Sequence, residues 1–324
     1  MASSIENPVD EPTYLEFFEL TQPPFARPSK PSEIFNSEQY SLLMSHLTSA
    51  TEQTDCRVVI YGVDGLGKTS LLNRYTSTLD DEVSFATIDE TCVDAKQFHT
   101  AILRQLGFKD ITGSVHELRN ITKEFLINRC MADDPVLLII DNAHLLKPSV
   151  FRQLRWISEI KVKGRRVLSV VLAGSTDLMR VIESPAMSTV RFRSHVDFNL
   201  RVFTEDETMD YVRHRLELAG RIEAVEFSNE AQPLVFRYTG GIPSLINALC
   251  HALLTEAHAQ DSRVITDDLV RTVADRSQLL PHIVPSRRKG RRNADPDRNI
   301  AVPDEQPEER ITERTAPRKS RRRK

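Results

Sequence analysis

The stretch RVVIYGVDGLGKTSLLNRYTSTL, residues 57–79, decides how this chain folds. A short β-branched run, Arg57–Tyr61, leads directly into a glycine-rich turn, and helix-forming residues follow from Ser70 onward. The turn matches the pattern G-x-x-x-x-G-K-S/T, which carries meaning only between a strand and a helix. Glycines let backbone N–H groups face a phosphate, and the start of the helix adds positive partial charge. The sequence therefore predicts a P-loop that binds nucleotide phosphates.

The residues expected to hold the nucleotide are contiguous. They are Gly62, Val63, Asp64, Gly65, Leu66, Gly67, Lys68, Thr69 and Ser70. We expect Lys68 to bridge the β- and γ-phosphates of ATP, and the Thr69 hydroxyl to ligate Mg²⁺. Asp141 follows the apolar run Val136–Ile140, and a carboxylate at the carboxyl end of a buried strand is placed to hold the same ion. ATP and Mg²⁺ are therefore the expected cofactors, with Thr69 and Asp141 as the metal residues.

Strand and helix signals alternate along the first 200 residues. The strand before the P-loop is followed by four more short apolar runs, at Val83–Ile88, Val136–Ile140, Val167–Ala173 and Val196–Leu200. Longer segments with apolar residues at spacings of three and four separate these runs. The alternation predicts an α/β fold in which helices cover both faces of a parallel sheet.

From Thr204 onward the strand signals end and helical signals dominate. Thr204 and Glu207 form a capping-box pattern, Gly220 closes that helix, and Thr266 caps the last helix. The chain therefore divides into four predicted parts. They are a flexible amino terminus, residues 1–13, a nucleotide-binding domain, residues 14–203, a helical lid domain, residues 204–280, and a disordered basic tail, residues 281–324.

Charge is distributed unevenly along the chain. Residues 286–324 hold 14 Lys and Arg against 7 Asp and Glu, net +7, whereas residues 1–285 carry 29 against 39, net −10. The tail has almost no apolar residues to bury, so its ordering entropy would not be offset. Its basic clusters either attract DNA or anionic lipid through counterion release or serve as a solubilising appendage.

Several protein classes do not fit the composition. No apolar run reaches the roughly 18 to 20 residues of a membrane helix, and the first residues lack the basic and apolar regions of a secretory signal. We therefore expect a cytoplasmic protein. Widely spaced cysteines in apolar-periodic segments favour reduced core thiols over disulfides or a zinc site. They are Cys56, Cys92, Cys130 and Cys250.

Several motifs together resemble one known family. They are YLEFFEL at residues 14–20 with Pro24 and Phe25, the P-loop, DNAH at 141–144, VLAGSTDL at 171–178, YVRHRLELAG at 211–220 and YTGGIPSLIN at 238–247. This set covers about residues 14–280 and resembles the general secretion pathway protein A (ExeA-like) ATPases. The amino-terminal FF-L-x-x-x-PF pattern is its most specific part. The resemblance implies an AAA+ type P-loop ATPase with a small helical lid, and the group is similar to transposition ATPases of the TniB and Mu B kind.

The same resemblance implies roles for individual residues. Asn142 stands where most relatives have a glutamate that polarises the attacking water, and an amide can orient a water but cannot take its proton. Ser175 matches the sensor 1 position, and Ser244 replaces the sensor 2 arginine. Arg193 is either a finger that reaches a neighbour's nucleotide or an ordinary surface arginine. His144 either contacts the water or packs under the next helix. The implied catalytic set is Lys68, Asp141, Asn142, Ser175 and Arg193.

Three functions remain open at this point. The first is an oligomeric ATPase that uses ATP binding and weak hydrolysis to assemble a secretion or pilus-type complex, in the cytoplasm or peripherally at the inner face of the membrane. The second is an ATP-dependent, DNA-binding regulator of transposition, which the basic tail favours. The third is a nucleotide-stabilised scaffold with little turnover. The expected partners are further copies of the chain, a protein of a secretion or transposition system, and DNA or anionic lipid at residues 286–324.

Overall fold

The computed structural model describes residues 14–279, except for residues 29, 54, 90–93, 185–193, 221–222 and 224. The predicted flexible amino terminus and basic tail lie outside these described residues, as do Arg193 and Cys92. Cys56 and Cys250 are buried free thiols, and Cys130 is a half-buried one.

Strands occur in one large sheet and two small ones within the described part of the chain. In chain order they are β1 (Cys56–Tyr61), β2 (Ser84–Ile88), β3 (Val136–Ile140), β4 (Lys161–Val162), β5 (Arg165–Arg166), β6 (Ser169–Gly174), β7 (Ser194–Asn199), β8 (Glu226–Phe227) and β9 (Val264–Ile265). The large sheet has the order β2-β3-β6-β1-β7, and each neighbouring pair is parallel. Each of these five strands begins and ends within two residues of its predicted run. The predicted parallel sheet is therefore confirmed.

Helices follow most of the strands. They are α1 (Tyr14–Phe17), α2 (Glu38–Gln53), α3 (Lys68–Thr76), α4 (Ala95–Gln105), α5 (Val115–Met131), α6 (Pro148–Ser158), α7 (Leu178–Glu183), α8 (Glu205–Leu218), α9 (Ala231–Thr239), α10 (Pro243–Ala259) and α11 (Asp267–Arg276). Single 3₁₀ turns lie at Pro31–Glu33 and Ala143–Leu145.

Alternate side chains of β1 lie on opposite faces of the sheet, and each face has its own apolar core. Val58 and Ile60 pack on one face with residues of α2, α3 and the carboxyl-terminal helices. Val59 packs on the other face with residues of α4, α6 and α7. Helices therefore cover both faces. Because the strands are parallel, their carboxyl ends meet at one edge of the sheet, where the P-loop follows β1.

The segment after Thr204 is helical, as predicted, with one addition. The Thr204 N–H donates to the Glu207 carboxylate at 2.8 Å, and the Glu207 N–H donates to the Thr204 hydroxyl, so the capping box is confirmed. Gly220 follows α8 with φ of 106°, and the Thr266 side chain caps α11. The addition is the short parallel pair of β8 and β9. Strands of two residues are too short for period-two alternation to reveal.

The amino-terminal segment, residues 14–28, packs on the helical lid. The Tyr14 hydroxyl forms a hydrogen bond with His251 Nδ1 in α10 at 2.9 Å. The Thr21 N–H donates to the Ala219 carbonyl at the end of α8, at 2.8 Å. Phe18 is fully buried in the core that this segment shares with the lid. These contacts explain why the FF-L-x-x-x-PF pattern is apolar and aromatic.

The described residues all belong to one compact unit. Val58 of the sheet joins the same apolar cluster as Leu249 and Leu253 of α10. Because the two parts share this cluster, the division into residues 14–203 and 204–280 stays a prediction from the sequence. No described helix is long and apolar enough to span a bilayer.

Candidate nucleotide-binding site

The loop between β1 and α3 needs glycine at specific positions. Gly65 and Gly67 have φ of 84° and 85°, in the left-handed region that disfavours side chains. A Cβ atom at Gly65 would lie 2.0 Å from the Ser244 hydroxyl oxygen, and one at Gly62 would lie 2.4 Å from the Leu200 carbonyl oxygen. Position 65 therefore needs glycine both for its backbone conformation and for its close contact, and position 62 needs it for the close contact.

Lys68, the first residue of α3, is a buried cation at the centre of this loop. Its ammonium donates to the carbonyls of Gly62 and Val63, both at 2.9 Å, and lies 3.8 Å from the Asp64 carboxylate. Burial lowers the pKa of Lys68, while the Asp64 and Asp141 carboxylates oppose that change. The Lys68 ammonium is therefore already desolvated before a phosphate binds in this loop.

Thr69 and Asp141 lie in direct contact. Thr69 follows β1 and Asp141 follows β3, and β6 lies between these two strands in the sheet. The Thr69 hydroxyl donates to Asp141 Oδ2 at 2.5 Å. The other carboxylate oxygen accepts the Asn142 N–H at 2.9 Å, and the Asp141 N–H donates to the Ile88 carbonyl at 2.8 Å. Asp141 is only 7% exposed, so its position is fixed by both packing and hydrogen bonds. The two residues predicted to hold a metal ion are therefore neighbours.

The donor set at this point suits Mg²⁺ that is shared with a bound phosphate. A hydroxyl and a carboxylate are hard oxygen ligands, and Mg²⁺ in nucleotide sites is commonly held by one or two protein oxygens, phosphate oxygens and water. Within the described part of the chain, no group of three or more His, Cys, Asp or Glu side chains could hold a metal ion alone. Thr69 and Asp141 would hold the ion as two protein ligands beside the phosphates of a nucleotide.

Asn142 has an unusual backbone conformation, with φ of 46° and ψ of 37°. Asparagine and aspartate tolerate this left-handed conformation better than other residues that carry a side chain. Asn142 also lines the cavity beside the P-loop. Its residue type is therefore favoured by the backbone, in addition to any role of its amide in the site.

Ser175 and His144 are joined by a hydrogen bond that the sequence did not reveal. The Ser175 N–H donates to His144 Nδ1 at 3.2 Å, and the Ser175 hydroxyl accepts the Asp177 N–H at 3.3 Å. A Cβ atom at Gly174 would lie 2.8 Å from His144 Nδ1, so the glycine allows the ring to approach β6. His144 thus connects the turn after β3 to the end of β6.

A cavity of about 590 Å³ opens beside the P-loop. The loop and the first turns of α3 form one wall. Arg27 and Phe35, which precede α2, line the cavity together with Tyr211, Arg215 and Asn247 of the lid. The volume lies within the range of roughly 300 to 1,000 Å³ that is usual for small-molecule sites.

The lid side of the cavity carries a hydrogen-bonded group of polar side chains. The Tyr211 hydroxyl donates to Asn247 Oδ1 at 2.9 Å. Arg215 is only 5% exposed, and its guanidinium donates to the carbonyls of Pro24 and Ala26. Burial raises the pKa of Tyr211, and the adjacent Arg215 charge opposes that rise. A cation buried this deeply ties the amino-terminal segment to the wall of the cavity.

The residues predicted from the sequence are only partly brought together. Asp64 to Ser70 and Asn142 line the cavity, and Ser244 lies on the loop, with its N–H donating to the Gly65 carbonyl at 3.2 Å. Ser175 is not among the lining residues, and Arg193 lies outside the described part of the chain. Tyr211, Arg215 and Asn247 form a wall of the cavity for which no role was predicted, although these residues lie within the motifs YVRHRLELAG and YTGGIPSLIN.

Comparisons with known proteins agree with this architecture. Residues 52–182 match a family model described as an AAA domain. General secretion pathway protein A of Aeromonas hydrophila is 27% identical over 253 residues, which cover 78% of this chain and 46% of that protein. The chain thus spans about half the length of this curated relative.

Solved structures with the same fold include two ORC proteins. Drosophila ORC bound to DNA is 16% identical, with a TM-score of 0.61 over 84% of this chain and 70% of that chain. The ORC2 protein of Aeropyrum pernix in ADPNP-ADP complexes is 17% identical, with a TM-score of 0.54 over 78% and 71%. At these identities the likeness shows the fold. The P-loop, the five-stranded parallel sheet and these matches establish a P-loop NTPase fold of the AAA+ type, in which residues 52–182 match the AAA domain model.

Proposed function

We propose that the chain binds ATP with Mg²⁺ in the cavity beside the P-loop and hydrolyses it slowly. The observation that carries the proposal is the arrangement of Lys68, Thr69 and Asp141 around one loop, with a buried ammonium and a hydroxyl-carboxylate contact of 2.5 Å. The similarity to an ADPNP-ADP complex of a protein with the same fold supports a nucleotide as the ligand.

Each part of the site has a task in this proposal. Backbone N–H groups of the loop and the Lys68 ammonium bind the β- and γ-phosphates, and Thr69 and Asp141 hold Mg²⁺, which neutralises phosphate charge. The base and ribose occupy the side of the cavity that Phe35 and Tyr211 line. Aromatic side chains are suited to pack against a purine, since both present flat, polarisable faces.

Slow hydrolysis follows from two residues at the phosphate end. Asn142 orients the attacking water but offers no carboxylate to take its proton. Ser244 brings no positive charge to the γ-phosphate. Removing one preorganised group of this kind commonly lowers a rate by ~10² to 10³. The same two residues also support the alternative function of a nucleotide-stabilised scaffold with little turnover.

Ser175 and Arg193 complete the proposed catalytic set. The Ser175 hydroxyl accepts the Asp177 N–H and so keeps its own proton for the water or the γ-phosphate. Arg193 would reach the nucleotide of a neighbouring copy, which makes the active form a homo-oligomer. This role for Arg193 rests on the sequence resemblance.

The cellular role is proposed from the relatives. Similarity to general secretion pathway protein A supports a part in assembling a secretion or pilus-type complex, at the cytoplasmic side of the inner membrane. The alternative is a DNA-binding regulator of transposition, which the net charge of +7 on residues 286–324 supports. The first role requires a protein partner of the secretion system, and the second requires DNA.

Calorimetry with Mg²⁺ and ATP tests the nucleotide site. We expect saturable binding by the wild-type chain and a strong loss in Lys68→Ala, because the substitution removes the charge that faces the phosphates. Lys96→Ala is the matched control, since it removes one exposed lysine from α4, outside the cavity. Equal affinities in the wild-type chain and Lys68→Ala would contradict the proposal.

A further inference from the structure

A second concentration of positive charge lies within residues 147–166, in the region that matches the AAA domain model. Residues 147–166 hold seven Lys and Arg and one Glu, a net charge of +6, although residues 1–285 as a whole carry net −10. The structure joins this segment into one unit, because α6 is followed directly by the hairpin of β4 and β5. We call residues 147–166 the basic ridge.

The hairpin is a rigid support for its charges. Lys161 lies opposite Arg166 in the antiparallel pair, and the turn residues Lys163 and Gly164 have φ of 50° and 83°. Two positive φ values in a two-residue loop define a type I′ turn, whose twist matches that of the strands. Arg166 forms an ion pair with the buried Asp55 at 3.5 Å, which fixes the base of the hairpin.

Most cations of the ridge face solvent without an opposite charge. Those that are exposed and have no ion pair among the described residues are Lys147, Arg152, Lys161, Lys163 and Arg165. The one carboxylate of the ridge, Glu159, is already paired with Arg155 at 3.1 Å. Lys161, Lys163 and Arg165 share one short hairpin, so their like charges repel one another and favour contact with a polyanion.

From these observations we infer that the basic ridge binds the phosphate backbone of duplex DNA. Cations on rigid elements release condensed counterions when they contact phosphates, and such contacts need no base sequence. Single strands are bound by stacking bases on exposed aromatic rings. The only aromatic side chains of the ridge are Phe151, which is buried, and Trp156, which is half-buried with the Arg119 guanidinium 4.1 Å above its ring. Duplex is therefore favoured over single strands.

An anionic membrane fits the ridge less well than DNA does. Peripheral membrane binding combines cations with apolar side chains that enter the headgroup region. Within residues 147–166 no large apolar side chain is exposed, and Val162 of the hairpin is half-buried against the core. The ridge offers charge without an apolar anchor.

The test is fluorescence anisotropy of the full chain with a labelled duplex of about 30 base pairs, at salt concentrations from about 50 to 200 mM. The triple variant Lys161→Glu/Lys163→Asp/Arg165→Glu reverses the charge of the hairpin, and the new Asp-Gly turn still favours type I′. We expect affinity at low salt to fall about tenfold or more, and the slope of log affinity against log salt to shrink by about 2 to 3. Melting temperature and ATP affinity should stay unchanged.

The control makes the same change of charge on the lid, with Arg213→Glu/Arg237→Glu/Arg271→Glu. These three arginines are exposed and lie on α8, α9 and α11. Equal losses in both variants would show a response to net charge alone and would overturn the inference. Unchanged duplex affinity in the ridge variant, with binding lost on deletion of residues 286–324, would assign DNA binding to the tail and also overturn it.

A neutral variant of the hairpin and a vesicle-binding assay complete the experiment. If the charge-reversed hairpin fails to fold, Lys161→Gln/Lys163→Asn/Arg165→Gln removes the same cations and keeps a favoured Asn-Gly turn, with the same losses expected.

Vesicles of phosphatidylserine and phosphatidylcholine serve as the membrane probe. A loss of vesicle binding with duplex affinity retained would refute the assignment to DNA. Because the readout is DNA binding, failure of ATP binding would leave this test intact.

Discussion

Ser244 lies directly on the P-loop: its N–H donates to the Gly65 carbonyl at 3.2 Å, and its hydroxyl oxygen occupies the space that a Cβ at position 65 would need. The first turn of α10 is thereby held against the nucleotide-binding loop by a backbone hydrogen bond. An arginine at position 244 would extend from this same contact into the cavity, since Ser244 already lines it.

Gly65→Ala should therefore disturb both the loop and the lid. The substitution places a Cβ 2.0 Å from the Ser244 hydroxyl and forces alanine to adopt φ of 84°. We expect the free energy of unfolding to fall by more than the roughly 1 to 2 kcal/mol that left-handed strain alone costs, and ATP binding to weaken. Gly107→Ala is the control, because Gly107 has φ of 93° with nothing within 4 Å of its Cβ position. Equal losses of stability in the two variants, measured by denaturant unfolding, would show that the contact with Ser244 does not matter.

Asn142→Glu should raise the rate of ATP hydrolysis. A carboxylate next to Asp141 accepts hydrogen bonds from the attacking water and polarises it, so we expect a gain of about ten- to a hundredfold with little change in ATP affinity. The left-handed backbone of Asn142 works against glutamate by roughly 1 to 2 kcal/mol of stability. Asn142→Asp is the comparison, since aspartate tolerates that backbone but carries a shorter side chain. A wild-type turnover of about 1 s⁻¹ or more, with no gain in Asn142→Glu, would rule out the proposal that the chain hydrolyses ATP slowly.

His99 should make stability depend on pH in the acidic range. The ring is fully buried in α4, with Nδ1 3.1 Å from the Thr122 hydroxyl and Nε2 3.2 Å from the Gln153 amide oxygen. Burial lowers the pKa of His99 to about 4; the nearby Arg119 charge acts in the same direction, and the Gln153 hydrogen bond opposes it. The unfolded chain, with an ordinary pKa of about 6.5, therefore binds more protons between these two values. We expect the free energy of unfolding to fall as the pH drops from about 6.5 to about 4, by up to about 3 kcal/mol.

Chemical denaturation at a series of pH values checks this expectation. His99→Gln should remove that part of the pH dependence, whereas His116→Gln on the exposed face of α5 should leave it in place. If the wild-type chain and His99→Gln lose stability in parallel between pH 6.5 and 4, His99 is not the group that titrates.

Arg215→Lys should loosen the amino-terminal segment from the lid. The guanidinium donates to the carbonyls of Pro24 and Ala26 from two different nitrogens, a geometry that a single ammonium does not reproduce. Hydrogen bonds to charged groups contribute roughly 1.5 to 3 kcal/mol, so we expect a loss of about that size. Hydrogen exchange at residues 21–26 should become faster. Arg213→Lys, an exposed change on the same helix, should alter neither quantity, and unchanged exchange in Arg215→Lys would show that other contacts hold the segment.

The local parts of this fold could be predicted from the sequence. The strands are short apolar runs whose period is visible within a few residues, and the Thr204 capping box needs only residues three apart. The P-loop could also be predicted, because the residues that form it are contiguous in the sequence. The roles of Lys68, Thr69 and Asp141 in nucleotide binding stay predictions, and the structure adds that the last two are in contact.

The remaining parts depend on contacts between distant residues. Phe35 and Tyr211 meet at a ring distance of 5.7 Å although about half of the chain separates them in sequence. The bond between His144 and Ser175 joins the ends of two strands that become neighbours only in the sheet. Periodicity and spacing describe one segment at a time, so neither signal could have placed these pairs together.

The attachment of the amino-terminal segment has a mechanical consequence. Hydrogen bonds join Tyr14, Thr21 and Arg215 across the boundary between this segment and the helical lid, and Arg263 near β9 adds a bond to the Phe17 carbonyl at 2.8 Å. The segment and the lid are therefore coupled as one lever arm. Any rotation of the lid about the P-loop would move residues 14–26 through the same angle. A conformational change that begins at the bound phosphates would therefore reach the protein surface at residues 14–26.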